Sequence, residues 1–575
     1  MTRHSGLIAA GGALSIGAVA LLSGTTAPSV GAVGASSPGA VRWQPCPQYS
    51  DGAIESLRVQ PEQIPRFRAL LARLECGTVS VPLDYARPTG RHITVAITRL
   101  KATDQAHRLG SLAVNPGGPG GSGYLVPETL LLTGSTIASL NDRYDLIGFD
   151  PRGVGYSTKA NCQSQGGPPP TPGDPPPSPS DPPPDQDGPP PGPLTEELAR
   201  QFYADQVRIS QACLRTDPDL LLQLTTANVA RDLNQVRRAL HEPTISYFGV
   251  SWGTLLGAVY RSMFPATVSR MWLDSVVGPT ANRLDVRAAD TAKATEQAAA
   301  RLAKWIADRN ATYRLGNTPA QVRATMLAIK RNLDANPVKF SDVPAAADGN
   351  LVAFLAMSIS PLWTEASQAL TELVGATSGT PAPPALKSIL SPLPPQPIPP
   401  ADAPEQINPT AGQAMLCNDD TSPHDFASFW RSYQRIVARN PVTGSLTLPT
   451  QPCAGWPTPA QPFQLRRTSG SLELSGHRYE TLTPYPWTAQ LQATIGGHVL
   501  TVNDDAHGSV PFTADCAEHL AAYFGTGRPD NGQCQGVTGT TPPPGQAAAS
   551  AAASQASVGL AGRGRRSWST RFGWR

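Results

Sequence analysis

The alternation of apolar and polar residues divides the chain into short strands and longer helices. Residues 76–84 (CGTVSVPLD) and 92–100 (HITVAITRL) carry β-branched side chains in near alternation. That is the pattern of half-buried strands that pair antiparallel at the start of a sheet. Runs at 111–115 (SLAVN), 144–149 (YDLIGF), 245–250 (ISYFGV) and 270–277 (RMWLDSVV) are short and mostly apolar, as expected for parallel strands covered on both faces. Val229, Leu233, Val236 and Leu240 recur at helical spacing, predicting an amphipathic crossover helix over residues 227–240. Strands alternating with helices predict a doubly wound, mostly parallel α/β sheet.

Three segments break this order. Residues 166–193, beginning GGPPPTPGDPPPSPSDPPP, are polyproline-like and acidic, cannot build a core, and read as a disordered insert. From residue 279 to 416 the pattern turns helical, at 289–306 and 319–333, with a second Pro-rich run at 381–404; this reads as a helical lid inserted into the sheet domain. Residues 537–575 form an Ala/Ser/Pro-rich tail with Arg563, Arg565, Arg566, Arg571 and Arg575, expected to be disordered. The core is then split into residues 36–278 and 417–536. A length of 575 residues suits one large core with insertions, expected here as a monomer.

The first 35 residues read as an export signal. Arg3 and His4 precede an apolar stretch over 7–22, followed by small residues through Ala32, Gly34 and Ala35, where a signal peptidase could cut. An uncleaved anchor is the alternative; after cleavage no stable membrane insertion is expected. With 46 Lys+Arg against 43 Asp+Glu, the net charge of +3 gives no general attraction for nucleic acid or anionic membranes. The eight cysteines form four sequential couples, Cys46 with Cys76, Cys162 with Cys213, Cys417 with Cys453 and Cys516 with Cys534. In an exported chain these are expected to be disulfides. Secretion follows, with attachment of the basic tail to the cell wall left open.

The chemistry centres on Gly249-Val250-Ser251-Trp252-Gly253. A G-x-S-x-G that closes an apolar strand and opens a helix is the nucleophile elbow of an α/β-hydrolase, a turn so tight that small residues must flank the serine. Two strands earlier lies Asn115-Pro116-Gly117-Gly118-Pro119-Gly120-Gly121-Ser122-Gly123, whose backbone can approach a developing oxyanion. Gly118 and Trp252, the residue after the nucleophile, are the expected N–H donors. A phosphate loop is the rival reading, but the Gly-Lys-Ser/Thr ending is missing. His507 follows the apolar run 498–502 in NDDAHG, which places it as general base. Glu480 precedes it by 27 residues and is the expected acid, in the chain order Ser, acid, His. Asp274, at the end of the strand after the nucleophile helix, is the competing acid. No metal or organic cofactor is needed for this chemistry.

Taken together, NPGGPGGSG (115–123), FDPRGVGYS (149–157), YFGVSWGTLLGAVYRSMFP (247–265), LDSVVGP (273–279) and CNDD (417–420) resemble the secreted tripeptidyl aminopeptidases of actinobacteria, relatives of the proline iminopeptidases. The resemblance covers residues 42–536 and implies an α/β-hydrolase core, a helical lid and cleavage of short peptides from a free N-terminus. The chain departs from it in the Asn-Pro start of the glycine loop, Trp252 for a frequent Tyr, Glu480 for the usual Asp, and the Pro-rich insert. An ammonium entering a water-poor pocket needs a carboxylate. Asp419, where the chain returns from the lid, is the first candidate, with helix capping as its plainer role. An esterase or lipase of the same fold remains the alternative function, and a non-catalytic binding protein a third.

Overall fold

A computed structural model of the chain describes residues 39–162, 192–392, 398–457 and 463–537. The expected signal segment, the Pro-rich insert up to residue 191 and the tail from residue 538 lie outside the described residues.

The sheet is built from β1 (Arg42–Gln44), β2 (Leu74–Pro82), β3 (His92–Leu100), β4 (Gly110–Asn115), β5 (Tyr144–Phe149), β6 (Ile245–Val250), β7 (Val268–Asp274), β8 (Ser471–His477), β9 (His498–Val502) and β10 (Gln533–Cys534). Among the described residues their order is β1-β2-β3-β5-β4-β6-β7-β8-β9-β10. The pairs β1/β2, β2/β3 and β3/β5 are antiparallel. From β5 to β10 every neighbour is parallel, so the strand C-terminal ends share one edge. This is the α/β-hydrolase fold.

Period-two alternation sends successive side chains to opposite faces. Ala113, Tyr247, Met271 and Leu273 join one apolar core with Leu233 and Val236 of the helix Thr226–Ala239. Leu112, Val114, Phe248 and Trp272 join the other with Leu520 and Phe524 of the helix Ala514–Thr526. Both faces are therefore covered, which is why the central strands read as continuous apolar runs.

After β7 the chain leaves the sheet and returns only at β8. The helices Leu284–Ala307, Pro319–Ala335, Gly349–Ala356, Trp363–Val374 and Pro384–Leu390 close around a separate apolar cluster that includes Leu302, Ile306, Met326, Leu351 and Leu370. The helix Pro409–Asp419 runs across residue 416, where the sequence pattern places the end of the insertion. Its Ala411, Ala414 and Met415 pack into the core of the sheet rather than into the helical cluster. Disulfides join Cys46–Cys76, Cys162–Cys213, Cys417–Cys453 and Cys516–Cys534. Among the described residues no helix is long and apolar enough to cross a membrane.

Candidate active site

β6 ends at Val250, and the helix Trp252–Met263 begins at once, with Ser251 between them at φ +59° and ψ −126°. A non-glycine residue at positive φ is strained. The strain is characteristic of an elbow that lifts the serine Oγ above the sheet edge. The Ser251 N–H donates to the Asp274 carbonyl on β7 (3.0 Å). A Cβ at Gly253 would lie 2.8 Å from both the carbonyl oxygen and Oδ1 of Asn115, so only glycine fits there.

The glycine loop leaves β4 directly against this turn. A Cβ on Gly117, whose φ is +96°, would lie 2.5 Å from the Val250 carbonyl oxygen, 2.9 Å from Ser251 Cβ and 3.2 Å from Trp252 N. The Gly117 N–H is spent on Asn115 Oδ1 (3.0 Å). The next N–H, that of Gly118, has no acceptor among the described residues. Trp252 opens its helix, so its N–H has no carbonyl four residues back. Two free backbone donors thus sit beside the serine.

His507 follows β9. Its Nδ1 is hydrogen-bonded to Glu480 Oε1, while Nε2 is buried with no partner among the described residues. A carboxylate on Nδ1 selects the tautomer that leaves the Nε2 lone pair free. Glu480 is itself fixed: Thr483 donates to Oε1 through N–H (3.2 Å) and Oγ1 (2.7 Å), and Ser275 Oγ donates to Oε2 (2.9 Å). Ser275 Oγ also accepts the Gly508 N–H (2.8 Å). A Cβ on Gly508 would lie 2.7 Å from Val250 Cγ1, which sets the histidine loop beside the elbow. Ser251, Glu480 and His507 are all buried.

Asp274, the competing acid, faces a different histidine. Its Oδ1 accepts from His477 Nε2 (2.9 Å) and Ser475 Oγ (2.6 Å). The other ring nitrogen, His477 Nδ1, lies 2.6 Å from Asp504 Oδ1. Burial alone would lower the pKa of His477, but the Asp504 and Asp274 carboxylates outweigh it and hold it well above the ordinary histidine value.

Asp419 is buried at the start of the helix Thr226–Ala239, accepting from the Thr226 N–H (3.2 Å) and from its hydroxyl. The Trp252 indole Nε1 donates to the same Thr226 hydroxyl (3.1 Å). One threonine therefore links Asp419 to the residue after the serine. Burial pushes the Asp419 carboxyl up to about 7, against the lowering effect of the Thr226 hydrogen bonds.

The helical insertion touches the loops that carry Glu480 and His507. Ser360 donates to Asp505 through its N–H and its hydroxyl (both 2.9 Å). Arg301 lies 3.5 Å from the same carboxylate and 3.9 Å above the Tyr479 ring. Asp505 is two residues before His507 and Tyr479 one before Glu480. The sequence pattern gives no signal for these contacts, which join segments more than a hundred residues apart. Arg152, in the DPRG turn, pairs with buried Asp232 through Nε (2.6 Å) and Nη2 (2.7 Å) and so packs rather than reacts. Asp420, His424 and Cys453 are the one grouping of metal-ligand types among the described residues, but the Cys453 sulfur is taken by the disulfide to Cys417.

Comparison with known proteins places the fold and the family. The family model described as "alpha/beta hydrolase fold" matches residues 111–328, and "TAP-like protein" matches residues 440–536. A tripeptidyl aminopeptidase of Streptomyces coelicolor is 30% identical over 480 residues, 80% of this chain and 82% of the relative. Serine protease Hip1 of Mycobacterium tuberculosis is 28% identical over 497 residues, 82% of this chain and 86% of the relative. Carboxylesterase B of the same species is 29% identical over 468 residues, 78% of this chain and 83% of the relative.

Proposed function

Because the chain belongs to the tripeptidyl aminopeptidase family of α/β-hydrolases, we propose that it is an exported serine exopeptidase. It releases short peptides, tripeptides in length, from free N-termini, with Ser251, His507 and Glu480 as its triad. The observation that carries this reading is the buried Glu480–His507 pair with Nε2 left free, set beside a strained serine elbow.

Ser251 Oγ attacks the scissile carbonyl carbon as its proton passes to His507 Nε2, and Glu480 stabilises the imidazolium that forms. The Gly118 and Trp252 N–H groups receive the negative charge on the carbonyl oxygen; one such donor is worth about 3 kcal/mol in the barrier. When the C–N bond breaks, His507 gives its proton to the leaving amine. Water then attacks the acyl-enzyme, with His507 again as base. In this reading Asp419 receives the substrate ammonium, which supplies the positive partner that its buried carboxylate lacks among the described residues. The four disulfides support export to an oxidising compartment.

The second reading, an acyl esterase of the same fold, is favoured by the similarity to a carboxylesterase B. Turnover of a tripeptide arylamide against that of a short acyl ester separates the two. Faster cleavage of the arylamide, abolished in Ser251→Ala, is expected; ester cleavage with an inert arylamide would overturn the peptidase assignment.

A further inference from the structure

Behind the catalytic residues lies a second histidine that the reaction does not use. His477 ends β8 and is fully buried, with Asp274 from the end of β7 on Nε2 and Asp504 from the loop after β9 on Nδ1. Each of these three residues stands next to one part of the triad. The Asp274 carbonyl accepts the Ser251 N–H (3.0 Å), and the His477 carbonyl accepts the Glu480 N–H (3.3 Å). Asp504 is three residues before His507, and its carbonyl accepts the Tyr479 N–H (3.0 Å).

A neutral imidazole has one N–H, so it can donate to only one of two facing carboxylates and turns a lone pair toward the other. Both ring nitrogens of His477 lie within hydrogen-bond distance of a carboxylate oxygen, a geometry that two donors satisfy. The remaining neighbours are neutral: Ser475 Oγ on Asp274 Oδ1, with Ser509 Oγ (2.6 Å) and the Val537 N–H (2.9 Å) on Asp504 Oδ2. Of the ionisable pairs close in the chain, Glu480, three residues after His477, pairs with His507, and Asp505, next to Asp504, pairs with Arg301 of the helical insertion. We propose that His477 is a positioning residue, an imidazolium that clamps the ends of β7, β8 and β9, where β7 accepts the Ser251 N–H and the segments after β8 and β9 carry Glu480 and His507, and so holds the three at their working separations. This rests on those three residues being the triad.

The test is His477→Gln, which keeps much of the volume but loses the charge, alongside the double variant His477→Gln/Asp274→Asn, which also removes one facing carboxylate. With thermal unfolding confirming that each folds, His477→Gln should lower kcat on the order of 10²-fold with KM little changed, the scale of a small misplacement of reacting groups. The deficit should shrink from about pH 8 to about pH 6, because a carboxyl left unpaired can take the missing proton. The double variant should recover part of the lost kcat at about pH 8. A deficit that does not change with pH, together with a double variant no better than the single one, would overturn the proposal. If His477→Gln does not fold, nitrogen NMR of the intact wild-type enzyme decides. Two protonated ring nitrogens in His477 at about pH 8, above the ordinary histidine range, support the clamp, and one deprotonated nitrogen there overturns it. The triad reading fails by a different sign: turnover surviving in Ser251→Ala, whatever the charge on His477.

Discussion

Two buried histidines lie at the C-terminal edge of the sheet, and they differ in the number of carboxylates that face them. His507 has one, Glu480 on Nδ1, and keeps Nε2 free. His477 has two, Asp274 and Asp504, and keeps neither nitrogen free. One carboxylate orients an imidazole and supports the charge it acquires during reaction. Two carboxylates stabilise the charged form at rest, which removes the lone pair a base requires. The same side chain is thus suited to proton transfer in one place and to fastening loops in the other. In the proposed reading Asp274 and Glu480, both candidate acids by chain order, are divided between these two tasks.

The comparison breaks most severely at the triad. Ser251→Ala and His507→Ala should each lower kcat by on the order of 10⁵ to 10⁶, since the members act as a unit; steady-state assays on a tripeptide arylamide read this directly. Glu480→Gln should cost about 10⁴, because an amide no longer selects the tautomer or supports the imidazolium. A larger loss in Asp274→Asn than in Glu480→Gln would exchange the roles assigned to the two acids. Asp274→Asn is instead expected to lower kcat roughly tenfold through the loosened clamp, and to lower the melting temperature, because it removes one of the two carboxylates that hold the buried imidazolium.

Smaller effects sharpen the assignment of Asp419. Acetylating the N-terminus of a good substrate should reduce kcat/KM by about tenfold, the scale of one charge-assisted hydrogen bond, and Asp419→Asn should remove most of that difference. With the Asp419 carboxyl at about 7, it is neutral below that pH and cannot pair with an ammonium. The substrate α-amino group loses its charge above about 8. The preference for free over acetylated peptides should therefore peak between these values and fall on either side. A preference that stays flat across that range would place the ammonium elsewhere.

Much of this site was legible from local pattern, because the elbow, the glycine loop and the histidine loop each sit at the end of an apolar run. β3, β5, β6 and β9 begin and end where the sequence pattern puts them. The His477 clamp was not legible, since GHRYE reads as a turn and its two carboxylates come from β7, about two hundred residues earlier, and from the loop after β9. The contacts of Ser275 and Thr483 with Glu480 are hidden for the same reason: a serine after a strand and a threonine before a proline have ordinary local meanings. The extent of the helical insertion was obscured by the helix Pro409–Asp419, whose small apolar residues look the same whether they pack on the sheet or on other helices.

The most direct measurement is mass spectrometry of a peptide library, half of it N-terminally acetylated, after incubation with the mature enzyme and with Ser251→Ala. The account predicts three-residue fragments cut from the N-termini of the free peptides, few from the acetylated ones, and none with Ser251→Ala. Internal cleavage, or equal cleavage of free and acetylated peptides, would contradict it.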